Sequence, residues 1–180
     1  DIKDDVKKVL YSEEQLAKRV KEMAEEISKD YAGKDLLVVG ILKGSVLFTS
    51  DLIKNISIPC EIDFMAVSSY GNSAQTSGVV RILKDLDSDI ENKHVLIVED
   101  IVDTGTTLSY LLEYLKARKA ASIEIVALLD KEARRTSNVS AKYKGFDVPD
   151  EFIVGYGIDY AEKYRNLPFI GALKEEIYNK

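Results

Sequence analysis

Three carboxylates and a short run of small hydroxyl residues lie close together in the middle of the chain. Glu99 and Asp100 end the apolar run 95–98, and Asp103 follows three residues later. Carboxylates in this arrangement suit sugar hydroxyls or a divalent cation such as Mg²⁺. Residues 104–107, Thr-Gly-Thr-Thr, come next and open a helical pattern. Unpaired N–H groups at a helix N-terminus bind phosphate, so the segment predicts a site for a sugar phosphate with a metal ion.

Strands and helices alternate along the chain in a way that would position this segment. Unbroken apolar runs predict buried strands, and apolar residues spaced by three and four predict helices. Ser12 to Gln15 has the form of a capping box before the first helix. The alternation predicts an α/β protein with a parallel sheet and helices on both faces, where ligands bind at the carboxyl ends of the strands. We expect strands at 36–42, 61–67, 79–83, 94–102, 123–129 and 152–156, and helices at 16–31, 46–53 and 108–115.

Composition excludes several classes of protein. The chain has 180 residues, 46% hydrophobic and 31% charged, which predicts a single domain over residues 1–180. A net charge of −6 argues against a nucleic-acid partner. One Cys and one His are too few for a zinc site, so oxygen atoms would have to hold any metal. Without a secretory signal or a membrane-spanning apolar run, we expect a cytoplasmic protein with no membrane partner.

The segment 98–107 resembles the 5-phosphoribosyl 1-pyrophosphate (PRPP) motif of type I phosphoribosyltransferases. Four further blocks follow the family's order and spacing, and they make the chain similar to the hypoxanthine-guanine branch over roughly residues 10 to 175. These blocks are Leu42-Lys43-Gly44, Ser69-Tyr70, Leu128-Leu129-Asp130-Lys131, and Phe152 to Tyr160 with Arg165.

The resemblance implies the type I phosphoribosyltransferase fold, a parallel twisted sheet flanked by helices. A small hood formed by the N- and C-terminal segments and a mobile lid at about residues 68–80 would complete it. The implied reaction is purine salvage: the phosphoribosyl group of PRPP moves to N9 of hypoxanthine or guanine, with Mg²⁺ as cofactor. The products would be IMP or GMP and pyrophosphate. The family also implies a homodimer or homotetramer.

The resemblance assigns roles around the ribose phosphate. Glu99 and Asp100 match the pair that holds the ribose hydroxyls beside a magnesium ion. Asp103 matches the general base and acid at purine N7, and it belongs to the same PRPP site. Asp159 matches a position near a second magnesium, so the expected metal ligands are Glu99, Asp100 and Asp159. The loop expected to bind the 5′-phosphate consists of Thr104, Gly105, Thr106 and Thr107.

The purine and pyrophosphate sites follow from other blocks. Lys131 matches the donor to purine O6, and Phe152 matches the aromatic side chain that stacks on the base. Ile153 matches a backbone contact to the purine edge, and Asp159 matches a position near the purine 2-substituent. The resemblance places pyrophosphate at Lys43, Gly44 and Arg165. The family has a non-proline cis peptide at the position before Lys43.

The lid block is Ser69 with Tyr70. The surrounding segment 68–78 is polar and small, and it has few apolar groups. Such a loop packs weakly, which is typical of a segment that opens and closes over a reaction.

Two other functions stay open from the sequence. A nucleic-acid-binding regulator could keep the PRPP site and lose the reaction, although the retained Asp103 and the acidic charge argue against it. A transferase that uses xanthine would differ at few contacts with the purine 2-position. The sequence does not decide how hypoxanthine, guanine and xanthine rank as acceptors.

Overall fold

The computed structural model describes residues 1–69 and 80–179. It contains two β-sheets with helices packed against the larger one. The strands are β1 (Val6–Tyr11), β2 (Leu36–Leu42), β3 (Glu61–Ser69), β4 (Val80–Lys84), β5 (His94–Val102), β6 (Ser122–Asp130), β7 (Tyr143–Asp147), β8 (Ile153–Val154) and β9 (Ile170–Leu173). The helices are α1 (Glu13–Asp30), α2 (Val46–Asn55), α3 (Thr106–Lys116) and α4 (Glu175–Tyr178).

The larger sheet has six strands in the order β4-β3-β2-β5-β6-β7. Its strands β3, β2, β5, β6 and β7 run parallel, which confirms the predicted parallel sheet. Strand β4 is the exception, because it pairs antiparallel with β3 at the edge. Only residues 70–79 separate the two strands, and that is fewer than a crossover between parallel neighbours needs.

Alternate side chains of the central strands enter two separate cores. Val38 and Leu96 belong to the core that α1 and α2 cover. Val39 and Ile97 belong to the core on the other face, against α3. All four are fully buried, so the central strands are apolar without alternation, as parallel strands covered on both faces should be. No described helix has the length and apolar character needed to cross a membrane.

The smaller sheet joins the beginning and the end of the chain. Its strands are antiparallel in the order β1-β9-β8, and they come from the segments that the resemblance places in a hood. The predicted strand 152–156 is too long, because the extended pairing ends at Val154. Gly155 has φ +104° and Tyr156 has φ +49°, so the backbone turns there.

Helix α1 begins with the predicted capping box. The Oγ of Ser12 accepts the N–H of Gln15 at 3.2 Å, and the Gln15 side chain accepts the N–H of Ser12 at 2.8 Å. These bonds satisfy two backbone donors that a helix start otherwise leaves unpaired. The cap therefore helps to fix the helix whose apolar face shares a core with β2 and β5.

We predict that Ser12→Ala lowers the free energy of unfolding by about 1 kcal/mol, because the N–H of Gln15 loses its acceptor. Ser12→Thr keeps a hydroxyl and should stay close to the parent. Urea unfolding followed by circular dichroism measures both variants. An alanine variant as stable as the parent would show that this cap contributes nothing.

Candidate active site

Strand β5 carries Glu99 and Asp100 to the carboxyl edge of the large sheet, where both are partly buried. Burial raises the pKa of Glu99 well above its ordinary value, and the neighbouring charge of Asp100 raises it further. Burial also raises the pKa of Asp100, against a backbone hydrogen bond from Ile101 and the charge of Arg165. Two adjacent carboxylates that resist ionisation favour a ligand that brings hydroxyl donors or a cation.

The loop after β2 lies directly against Asp100. A Cβ at Gly44 would stand 1.9 Å from the Asp100 Oδ2 atom. A Cβ at Gly157 would stand 2.3 Å from the carbonyl oxygen of Gly44. The peptide between Leu42 and Lys43 is cis, as in the family that the sequence resembles. Glycine at both positions thus brings the backbone of this loop beside the acidic pair.

Helix α3 begins directly after the acidic segment. Gly105 precedes its first residue with φ +84°, a conformation that favours glycine. The first turn holds no acidic residue, and the N-cap residue is a glycine without a side chain. Thr104 Oγ1 accepts the N–H of Thr106 at 3.4 Å. A cavity of 260 Å³ lies here, lined by Glu99 and residues 101–108. A helix N-terminus of this kind suits an anion, which agrees with the predicted phosphate loop.

A second cavity of 760 Å³ adjoins the first, and Ile101 and Asp103 line both. Its size is that of a small-molecule site. The structure brings together here most of the purine and ribose residues that the sequence predicts, namely Asp100, Asp103, Lys131, Phe152, Ile153 and Asp159.

Lys131 follows β6, and its side chain is 11% exposed. Its Nζ donates to the carbonyl oxygen of Glu151 at 2.9 Å and lies 3.8 Å from Asp150 Oδ1. An ammonium group has three N–H donors, so it can still donate to a ligand in the cavity. The contact with Glu151 helps to fix the orientation of the side chain.

Phe152 is 48% exposed although it is a large aromatic residue. Tyr178 stacks on its ring with centroids 3.9 Å apart and an interplanar angle of 26°. Tyr160 contacts the ring edge-on, with centroids 5.9 Å apart. The supported and still exposed ring is a surface for stacking a flat ligand. Tyr178 was not predicted, since no sequence spacing links it to Phe152.

Asp103 is 44% exposed and accepts a hydrogen bond of 2.7 Å from Arg134 Nε. The guanidinium also lies 3.6 Å from Asp150. A 3₁₀ turn after Lys131 carries Arg134, so two basic side chains from one short segment reach the cavity. The sequence assigns Arg134 no role, because its position three residues after Lys131 is ordinary for a surface arginine.

The predicted pyrophosphate residues also lie together. Arg165 donates through Nη1 to the carbonyl oxygen of Gly157 at 2.7 Å, and its Nη2 lies 3.5 Å from Asp159 Oδ1. Glu162 joins this group, since its carboxylate contacts both Lys43 and Arg165. The Nε of Arg165 is buried and has no hydrogen-bond partner among the described residues. The sequence does not predict Glu162 as part of the site.

The predicted lid lies mostly outside the described residues. Ser69 pairs with Val80 at the end of β3, and only its backbone is described. Tyr70 lies among the residues that are not described. The lid assignment therefore stays a prediction.

The predicted metal ligands do not form a ready-made metal cage. Within residues 1–69 and 80–179, no three side chains of His, Cys, Asp or Glu converge on one point, Glu99, Asp100 and Asp159 included. Mg²⁺ often binds one or two carboxylates and completes its shell with water and substrate phosphates. The pair Glu99 and Asp100 fits that second mode.

Comparison with known proteins agrees with this geometry. Residues 7–161 match the phosphoribosyl transferase domain family. The hypoxanthine-guanine phosphoribosyltransferase of Bacillus subtilis (strain 168) is 54% identical over 177 residues, 98% of both chains. That of Staphylococcus aureus (strain Mu50) is 56% identical over 176 residues, again 98% of both.

A crystal structure of a hypoxanthine phosphoribosyltransferase from Staphylococcus aureus superimposes with a TM-score of 0.97 at 55% identity, covering 99% of this chain and 97% of the other. The chain belongs to the phosphoribosyltransferase family and, within it, to the hypoxanthine-guanine phosphoribosyltransferases. The resemblance stated from the sequence and the predicted fold class are thereby confirmed.

We predict that Glu99→Gln raises the melting temperature at pH 8 in buffer without added metal ions. The folded-state pKa of Glu99 lies above its ordinary value of 4.5. An ionised Glu99 therefore costs stability, and the cost grows as pH rises from 4.5 through the raised pKa. The gain should fade near pH 4.5, where the carboxyl is largely protonated in the folded state.

Calorimetric melting at both pH values checks this expectation. Glu25→Gln, on the exposed face of α1, is the control for simple loss of one negative charge. A Glu99 variant that melts at the parent's temperature at pH 8 would contradict the raised pKa.

Proposed function

We propose that this protein transfers the 5-phosphoribosyl group of PRPP to N9 of hypoxanthine or guanine, releasing IMP or GMP and pyrophosphate. One juxtaposition carries the proposal: an acidic pair lies between a phosphate-binding helix start and a cavity with an exposed aromatic ring and a lysine. The hypoxanthine-guanine phosphoribosyltransferases of Bacillus subtilis and Staphylococcus aureus, more than half identical over 98% of the chain, support the proposal.

The ribose and its 5′-phosphate bind at the end of β5. The N–H groups and hydroxyls of residues 104–107 hold the phosphate at the start of α3. The carboxylates of Glu99 and Asp100 accept hydrogen bonds from the ribose hydroxyls. As the bond to pyrophosphate breaks, positive charge develops on the ribose ring, and the nearby carboxylates stabilise it.

Magnesium is the proposed cofactor. Bound beside Glu99 and Asp100, it would neutralise charge on the pyrophosphate leaving group, and Asp159 would lie near a second ion. The donor set fits this ion, because all three are hard oxygen ligands. A nearby cation would also favour ionisation of the acidic pair, whose pKa values burial raises.

The base binds in the larger cavity. Phe152 stacks on its face, the backbone of Ile153 contacts its edge, and Lys131 donates to O6. Asp103 accepts the proton from N7 while N9 forms its bond to C1 of the ribose and the C1–oxygen bond to pyrophosphate breaks. A site built to donate to O6 rejects a purine with a 6-amino group, which offers hydrogens instead of an acceptor.

Pyrophosphate binds at the loop after β2 and at Arg165, where Lys43, the Gly44 backbone and the guanidinium converge. Ser69 and Tyr70 act in the lid that closes over the substrates. An assembly of two or four copies and a cytoplasmic location accompany this function as predictions.

A spectrophotometric assay tests the proposal directly. PRPP and MgCl₂ are supplied with hypoxanthine, guanine, xanthine or adenine in parallel. We expect turnover of hypoxanthine and guanine, none of adenine, and loss of all turnover in excess EDTA that MgCl₂ restores. Turnover of xanthine alone would show that xanthine, and not hypoxanthine or guanine, is the acceptor. A protein that binds PRPP and converts no base would be a regulator instead.

We predict that Lys131→Ala raises the KM for hypoxanthine roughly ten- to hundredfold, because a hydrogen bond from a charged donor is lost. The KM for PRPP should change less than about twofold, since the ribose phosphate site lies at β5 and α3. Steady-state kinetics with each substrate varied in turn measure both constants.

Lys116→Ala removes the same charge from the exposed surface of α3 and is the control. A Lys131 variant that affects the KM of PRPP more than that of hypoxanthine would contradict the placement of the base.

A further inference from the structure

A single carboxylate bridges the two cations that the proposed function assigns to pyrophosphate. Glu162 Oε2 lies 3.1 Å from Lys43 Nζ. Its other oxygen, Oε1, lies 3.2 Å from Arg165 Nη2. Each carboxylate oxygen of Glu162 therefore pairs with a different cation. An anionic ligand with several oxygens, such as pyrophosphate, would contact the same two cations.

The bridge is exposed, so a ligand can reach it. The Glu162 side chain is 64% exposed and that of Lys43 is 70% exposed. Hydrogen bonds from the two cations hold the pKa of Glu162 below its ordinary value, so it is ionised at neutral pH. The ionised carboxylate therefore pairs with both cations when no other anion is bound.

The backbone that carries Glu162 has hydrogen bonds that do not involve the Glu162 carboxylate. Its N–H donates to Asp159 Oδ2 at 2.8 Å. On either side, Tyr160 and Lys163 pair through two backbone hydrogen bonds of 3.0 Å. The side chain can leave the cations while the turn keeps its shape.

We propose that Glu162 is an internal counterion of the pyrophosphate site, which pyrophosphate displaces from Lys43 and Arg165. The inference rests on the proposed function, because that function places pyrophosphate at these two cations. Binding must break two ion pairs and bring a new anion close to a carboxylate of like charge. Glu162 therefore weakens the binding of pyrophosphate and favours its release.

The size of the effect follows from the exposure of the pairs. Glu162 is 64% exposed in both pairs, although Arg165 is 25% exposed. Two ion pairs of the strength typical at a protein surface correspond together to a factor of roughly two to thirty in an equilibrium constant. We expect Glu162→Gln to tighten the binding of pyrophosphate about three- to tenfold. Glutamine keeps the length of the side chain and one accepting oxygen, removes the negative charge, and replaces the second oxygen with an NH₂ group that cannot accept from a cation.

Isothermal titration of the full chain with magnesium pyrophosphate is the test. Glu162→Gln should lower the Kd, and the gain should shrink as KCl rises from 0.05 M to about 0.5 M, because salt screens exposed charges. Glu113→Gln is the matched control. It breaks a Glu–Lys pair on α3 with 72% exposure on each side and should leave the Kd unchanged.

Arg165→Gln separates failure of the inference from failure of the proposed function. It should weaken the binding of pyrophosphate at least tenfold. If it does so and Glu162→Gln binds no tighter than the parent, Glu162 is not a competing counterion. If Arg165→Gln binds as well as the parent, the pyrophosphate site itself is misplaced and the inference falls with it.

Discussion

The contact between the Asp100 carboxylate and the backbone at Gly44 is the constraint on which the site depends. A side chain at Gly44 would overlap the carboxylate, so glycine allows the loop after β2 to approach the end of β5 this closely. Strands β2 and β5 are parallel neighbours in the sheet, and their carboxyl ends therefore reach the same edge. This pairing therefore places the acidic pair and the loop that we propose binds pyrophosphate next to each other.

The residues of the proposed site come from both sheets. The acidic pair, the start of α3 that we propose binds phosphate, and Lys131 all lie at the carboxyl edge of the large sheet. Phe152 directly precedes β8 of the small sheet, and its carbonyl oxygen accepts a hydrogen bond from the N–H of Leu173 in β9 at 2.9 Å. In the proposed function, the base would contact residues from both sheets, and the ribose phosphate would contact the end of β5 and the start of α3.

Local patterns in the sequence predict the elements that carry the chemistry. The apolar strand β5, the threonine-rich start of α3 and the capping box at Ser12 depend on residues that are neighbours in the chain. The sequence does not predict β1, β7 and β9. Strand β1 shows no alternation, because its central residues are exposed, and the other two are short.

The contacts that complete the site are distant in sequence, which is why patterns along the chain do not reveal them. Tyr178 meets Phe152 across 26 positions, and Arg134 meets Asp103 across 31. Glu162 reaches Lys43 across 119 positions. The shortened β8 has a local cause, since the backbone turns at Gly155, yet its apolar residues favour a longer strand.

The most direct test of this account is a crystal structure of the protein with IMP and Mg²⁺. We expect the 5′-phosphate at residues 104–107, the ribose hydroxyls at Glu99 and Asp100, and the base stacked on Phe152 with O6 at Lys131 and N7 at Asp103. A nucleotide bound elsewhere would contradict it, for example in the 590 Å³ cavity that α1 and α2 help to line. So would a nucleotide whose ribose makes no contact with the acidic pair.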